Sequence, residues 1–150
     1  MKLIKNLKYK EILSLFLKQN GSPLYNAKGV AVGVFCGCFP FFGFQTLLGI
    51  FLAKAAKGNL FLAAIGTWIS NPFTYIPLYF FNYKVGSFLL KNSPNIIIDH
   101  DLMLEELWKQ GSFFSSRLIL GSALVGLLLA SISGVIVFLL YKRKKKKRLF

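Results

Sequence analysis

The sequence predicts an all-α integral membrane protein: a broken, re-entrant helical hairpin, two full transmembrane helices and a short N-terminal amphipathic helix. Three observations carry that reading. No charged residue lies between Lys28 and Lys54, between Lys57 and Lys84, or between Arg117 and Lys142. Each of these runs reaches the roughly 20 residues that a helix needs to span hydrocarbon. Two of them are interrupted near the middle by proline. Finally, the chain is 55% hydrophobic, yet its net charge of +14 is gathered outside the runs. The 150 residues suit a single unit.

Residues 1–21 read as a basic amphipathic helix. Tyr9, Ile12, Leu13 and Phe16 fall on one stripe, with Lys10, Glu11, Ser14 and Lys18 opposite. Such a helix rests on an anionic membrane surface or packs on the rest of the protein. Asn20-Gly21-Ser22-Pro23 is expected to end it. No secretory signal peptide is evident, because Lys and Glu interrupt the apolar part.

Residues 22–90 form the core, with two Pro-broken membrane segments. The first, Gly29–Ala53, breaks at Phe39-Pro40-Phe41-Phe42-Gly43. Its halves would be about 15 Å and 20 Å long as helices, each short of the ~30 Å hydrocarbon core. Non-helical backbone survives at that depth only where protein or a wet cavity covers it. Gly29, Gly33 and Gly37 recur every four residues and form a helix-packing seam. The second segment breaks around Asn71-Pro72, where proline removes a donor and pushes Asn71 out of the helical region. Residues 91–117 are a polar loop with a short interfacial helix through Trp108, which Gly111 would end. Leu118–Tyr141 is an uninterrupted transmembrane helix with a second seam, Ser122, Gly126, Ala130 and Gly134. Residues 142–150 are a basic tail.

Charge sets the orientation. Residues 1–28 carry +5, Lys54 and Lys57 +2, residues 84–117 zero, and the tail +7. The positive-inside rule then puts both termini in the cytoplasm of a multi-pass inner-membrane protein. Three full crossings would separate the termini, so one broken segment turns back. If it is Gly29–Ala53, every basic cluster stays inside and the neutral loop lies outside. The alternative, a re-entrant Leu60–Tyr83, would place Lys54 and Lys57 outside.

The chemistry is sparse. No ionisable side chain lies inside a predicted span, which argues against a self-contained proton-driven pump and against acid–base or metal catalysis within the membrane. His100, the sole histidine, sits in the polar loop. Cys36 and Cys38 are too close for an ordinary disulfide and read as small buried side chains. No phosphate loop or dinucleotide fingerprint occurs. No cofactor, metal or nucleic acid is expected, and the chain is not expected to be an enzyme. What remains near the breaks is neutral and polar: Gln45, Thr46, Asn59, Thr67, Trp68, Ser70, Asn71, Thr74 and Tyr79. Discontinuous helices expose backbone groups that bind ions or headgroups without side-chain charge. Alternatively these polar groups satisfy one another.

The residues from Ser22 to Gly86 resemble the bacterial membrane family catalogued as domain of unknown function 2062. The resemblance lies in Gly29, Gly33 and Gly37; Pro40 through Thr46; Lys57-Gly58-Asn59; Gly66-Thr67-Trp68; Asn71-Pro72-Phe73-Thr74; Pro77; and Tyr83 through Gly86. Lys57 departs from it, standing where arginine is expected. The resemblance implies a multi-pass bacterial inner-membrane protein and brings no established activity. Some relatives look fused to, or associated with, cell-envelope glycosyltransferases.

The resulting expectation is transport or translocation of a small or lipid-linked solute in the cell envelope. Gln45, Thr46, Asn59, Thr67, Trp68, Asn71, Thr74 and Tyr79 would form its site, and Lys54 and Lys57 would hold anionic headgroups. The alternative is a non-catalytic membrane adaptor or scaffold for an envelope enzyme. Expected partners are membrane lipids and, through either small-residue seam, a second copy or another membrane protein.

Overall fold

The computed structural model describes residues 19–41, 43–90 and 103–147, with the side chains of 103–110 and 147 excepted. The amphipathic helix expected within 1–18 and the loop segment 91–102, with His100, lie outside the described residues. All regular structure among the described residues is helical.

Helix α1, Pro23–Gly37, opens on Ser22, whose Oγ accepts the Tyr25 N–H at 3.1 Å, with Pro23 in the first turn. Proline suits that turn because its missing N–H has no helical partner there. The Asn20–Pro23 stretch therefore opens a helix. A charge such as Lys28 marks where a segment leaves an apolar setting, and helical hydrogen bonding takes no notice of it. The chain leaves α1 at Cys38 and, from Gly43 at φ 81°, returns as α2, Phe44–Ala55. Helix α2 closes with Gly58 N–H on the Ala53 carbonyl at 2.7 Å and Lys57 N–H on that of Lys54 at 3.1 Å. This paired closure puts Lys57 in left-handed backbone, φ 52°.

Helix α3, Leu60–Gly66, tightens into a 3₁₀ turn, Thr67–Ser70. After the break at Asn71–Thr74 the chain resumes as α4, Tyr75–Leu89. The last helix, α5, runs without interruption from Met103 to Lys147. Gly111 thus ends nothing: the expected short helix through Trp108 is the first part of α5, and helix continues into the basic tail. One glycine costs only about 1 kcal/mol in a helix interior, which a long apolar helix absorbs.

Helices α1 and α2 form an antiparallel hairpin whose ends meet. Asn59 N–H donates to the Tyr25 carbonyl at 3.0 Å, and Lys28 Nζ to that of Ala56 at 3.2 Å. Helix α3 runs parallel to α1 in a contact made by small residues. Gly29 rests on the backbone of Asn59, Gly33 on that of Ala63, and Gly37 on that of Thr67. A Cβ at Gly33 would collide with the Ala63 carbonyl. Helix α4 continues past the hairpin tip. Helix α5 returns along both, with Gly121 on the Asn82 backbone, Gly126 beside Phe35 and Cys38, and Gly134 beside Ala31. The helices α1 and α4, each about 22 Å long, so lie end to end along α5, and the tip faces its middle.

Much of both small-residue seams packs within the chain: Gly29, Gly33 and Gly37 against α3 and its 3₁₀ turn, and Ser122 and Gly126 against α4 and the hairpin tip. Ala27, Val30, Val34, Leu62, Val137 and Tyr141 form an apolar core near the open end of the hairpin.

Among the described residues one helical stretch, Gly111–Lys146, is long and apolar enough to cross a membrane, where the sequence predicts two full transmembrane helices. The segment Leu60–Tyr83 is divided among α3, the 3₁₀ turn and α4.

Candidate functional site

The polar residues gather in two places. At the hairpin's open end Asn59 caps α3, its Oδ1 accepting the Leu62 N–H at 3.1 Å. Its Nδ2 donates to Asn26 Oδ1 at 2.8 Å. Thr67 lies eight positions beyond Asn59 along helical chain, a rise of about 12 Å. Asn59 is therefore not part of the cluster with which it was grouped.

The second place is the hairpin tip. Thr67 is fully buried and donates to the Ala64 carbonyl at 2.7 Å. Its single hydroxyl hydrogen is thus used, so Thr46 is the donor in the 3.0 Å contact between the two hydroxyls. Asn71 and Thr74 hold the chain break itself. Asn71 Oδ1 accepts from the N–H groups of Phe73 and Thr74, at 2.9 and 3.1 Å. Thr74 Oγ1 accepts the Asn71 N–H at 3.0 Å and donates to the Ile69 carbonyl at 2.6 Å. These two side chains replace the backbone bonds that Pro72 interrupts.

Helix α4 closes the tip from the far side. Tyr79 donates its hydroxyl to the Phe39 carbonyl at 3.1 Å. Asn82, one turn on, donates to the Cys38 carbonyl at 2.9 Å and to Ser122 Oγ at 3.0 Å. The last carbonyls of a helix lack intrahelical partners; here they gain them from a neighbouring helix. Cys36 and Cys38 are buried thiols. Gln45 is half-buried at the start of α2, its Oε1 enclosed with no hydrogen-bond partner among the described residues. Asn82 Oδ1 is in the same condition.

Trp68 departs from the expected lining: it faces outward and is 67% exposed. Lys54 and Lys57 are exposed at the end of α2. Four ends thus meet at the hairpin tip: the C-terminus of α1, the N-terminus of α2, the 3₁₀ turn, and the N-terminus of α4; of these, α1 and α4 pack against α5. Gln45, Thr46, Thr67, Asn71, Thr74 and Tyr79 come together there. Asn82, Asn26 and buried Arg117 escaped the sequence reading, which weighed polar residues by nearness to a proline. The usable signal for Asn82 was a lone amide inside the apolar run of α4.

Among the described residues these features define an all-helical protein with one membrane-length helix and two chain breaks locked by polar side chains. Residues 8–149 match the family described as an uncharacterized protein conserved in bacteria (DUF2062), and the chain belongs to that family. No curated protein and no solved structure matches it.

Proposed function

We propose that the chain is a multi-pass inner-membrane protein that moves a small or lipid-linked solute past the hairpin tip. The membrane reading is supported by an inverted surface. Asn26, Thr67, Asn82 and Ser122 are fully buried, while Phe44, Phe51, Phe73 and Phe88 are 69 to 91% exposed. Water does not favour so much bare apolar surface, whereas lipid does not penalise it. Only 22% of the most apolar 18-residue window of α5 is buried by the protein, unlike the core helix of a soluble domain. In this reading α1–α2 dips into the bilayer and returns. The α3–α4 rod crosses with a break, and α5 crosses back. Lys28, Lys54, Lys57 and Lys142–Lys146 then lie on the cytoplasmic side, as the positive-inside rule asks.

The observation that carries the transport reading is the convergence of helix ends at the hairpin tip, with Gln45 Oε1 and Asn82 Oδ1 buried and without a hydrogen-bond partner among the described residues. Broken-helix transporters use such ends at mid-membrane. Topology is tested by cysteine labelling at positions 54, 84 and 144 in a Cys36→Ala, Cys38→Ala background. Position 84 should label from outside, and 54 and 144 from inside; labelling of 54 from outside overturns the hairpin. Function is tested in proteoliposomes by the exposure of a fluorescent lipid to a membrane-impermeant quencher. We expect movement above protein-free vesicles that Gln45→Leu slows about tenfold, as when one hydrogen bond to solute is lost. No movement in the native chain leaves the adaptor.

A further inference from the structure

A groove between α1 and α5 takes no part in the tip. At the hairpin's open end Leu24, Lys28 and Phe138 line it; at the other, Phe35 and Leu127. It consists of two hollows of about 500 and 490 Å³ that share Ala31, Ala130 and Ser131. Leu52 and Ala55 of α2 wall the inner one. The lining is alkyl and aromatic except for Lys28 and for Ser131, whose hydroxyl is spent on the Leu127 carbonyl at 2.7 Å.

Length and charge together indicate the occupant. Leu24 to Phe35 covers about 17 Å of helix, close to the ~15 Å that one leaflet contributes to a hydrocarbon core. The cations lie at the open end alone. Lys28 uses one of its three donors on the Ala56 carbonyl at 3.2 Å, leaving two. Lys142 Nζ stands 5.9 Å from the centre of the Phe138 ring. The five acidic residues, Glu11, Asp99, Asp101, Glu105 and Glu106, all fall outside α1–α4 and outside the part of α5 that lines the groove. An apolar channel one leaflet deep with positive charge only at its mouth matches a single molecule that is apolar along its length and anionic at one end.

We propose that this groove seats one chain of an anionic phospholipid, with the phosphate held between Lys28 and Lys142. This names the lipid class within the membrane reading above and rests on it. A free phosphate would have no use for the groove, and a neutral lipid none for the lysines.

The test is native mass spectrometry of the full chain in detergent, with added phosphatidylglycerol, phosphatidylcholine of matched chains, or inorganic phosphate. The native protein should retain one phosphatidylglycerol at least about tenfold more than phosphatidylcholine, as two lysines near an anionic group warrant. Lys28→Gln with Lys142→Gln should remove that preference, and Lys28→Arg should keep it. Ser131→Phe, at an exposed position, should lower retention of both lipids, and millimolar phosphate should displace neither. Equal retention of the two lipids overturns the proposal, as does retention indifferent to these variants or displacement by phosphate. A chain released by alkaline carbonate would refute the membrane reading. One that resists carbonate yet keeps no lipid refutes the groove alone.

Discussion

Asn82 serves two acceptors on two other elements, so its loss is felt beyond its own helix. Asn82→Ala strips a donor from the Cys38 carbonyl and a partner from Ser122. Leaving a buried polar group unpaired costs about 1–3 kcal/mol, so we expect a lower thermal midpoint in detergent. Ser122→Ala should cost less, and a double-mutant cycle should show the two effects coupled; additive effects would deny the shared bond. Lys57 runs the other way. It holds left-handed backbone at φ 52°, a conformation that costs a residue with a side chain about 1–2 kcal/mol. Lys57→Gly should therefore raise the midpoint, and a fall would mean that the lysine side chain makes a contact outweighing its strain. At this scale the sequence was readable where chemistry is local. A polar side chain beside a proline has broken backbone to mend, as Asn71 and Thr74 do. Asn82 and Asn26 take their meaning from partners that only folding brings near.

Between elements, the α1–α3 contact is backbone on backbone. Gly33→Ala would drive a Cβ into the Ala63 carbonyl; overpacking of this kind costs about 1–3 kcal/mol. The expected result is loss of monodisperse protein on size exclusion, while Gly111→Ala, which meets open space, should leave the profile unchanged. The four-residue recurrence of glycine was visible in the chain, since it needs only helical geometry. Its partner was not, because a smooth stripe fits a second copy and a neighbouring helix equally well. Helix ends were misread for a related reason. Ser22 and Pro23 carry an opening signal, yet the uncharged run beginning at Gly29 drew the boundary six residues late. Gly111 looked like a stop, but flanking helix on both sides overrode it.

For the molecule as a whole, the proposed orientation rests on the unequal distribution of lysine. Replacing Lys142, Arg143, Lys144, Lys145 and Lys146 with glutamine removes about 1 kcal/mol of attraction to an anionic leaflet per residue. Labelling at position 84 should then change from one-sided to mixed. Unchanged sidedness would assign orientation to the N-terminal lysines instead. The broad plan of two broken runs and one continuous apolar helix could be read in advance because prolines and charges are written into the chain. The groove beside Lys28 could not, since its walls come from residues a hundred positions apart.

The hairpin tip also dictates an order of assembly. The carbonyls of Cys38 and Phe39 find their donors 44 and 40 residues further along the chain, in a helix the ribosome has yet to make when the hairpin emerges. Until Tyr79 and Asn82 arrive, entering lipid would leave both oxygens bare. In the proposed topology the nascent hairpin therefore waits at the water's edge, or within the insertion machinery, and sinks only once its cover has been synthesised.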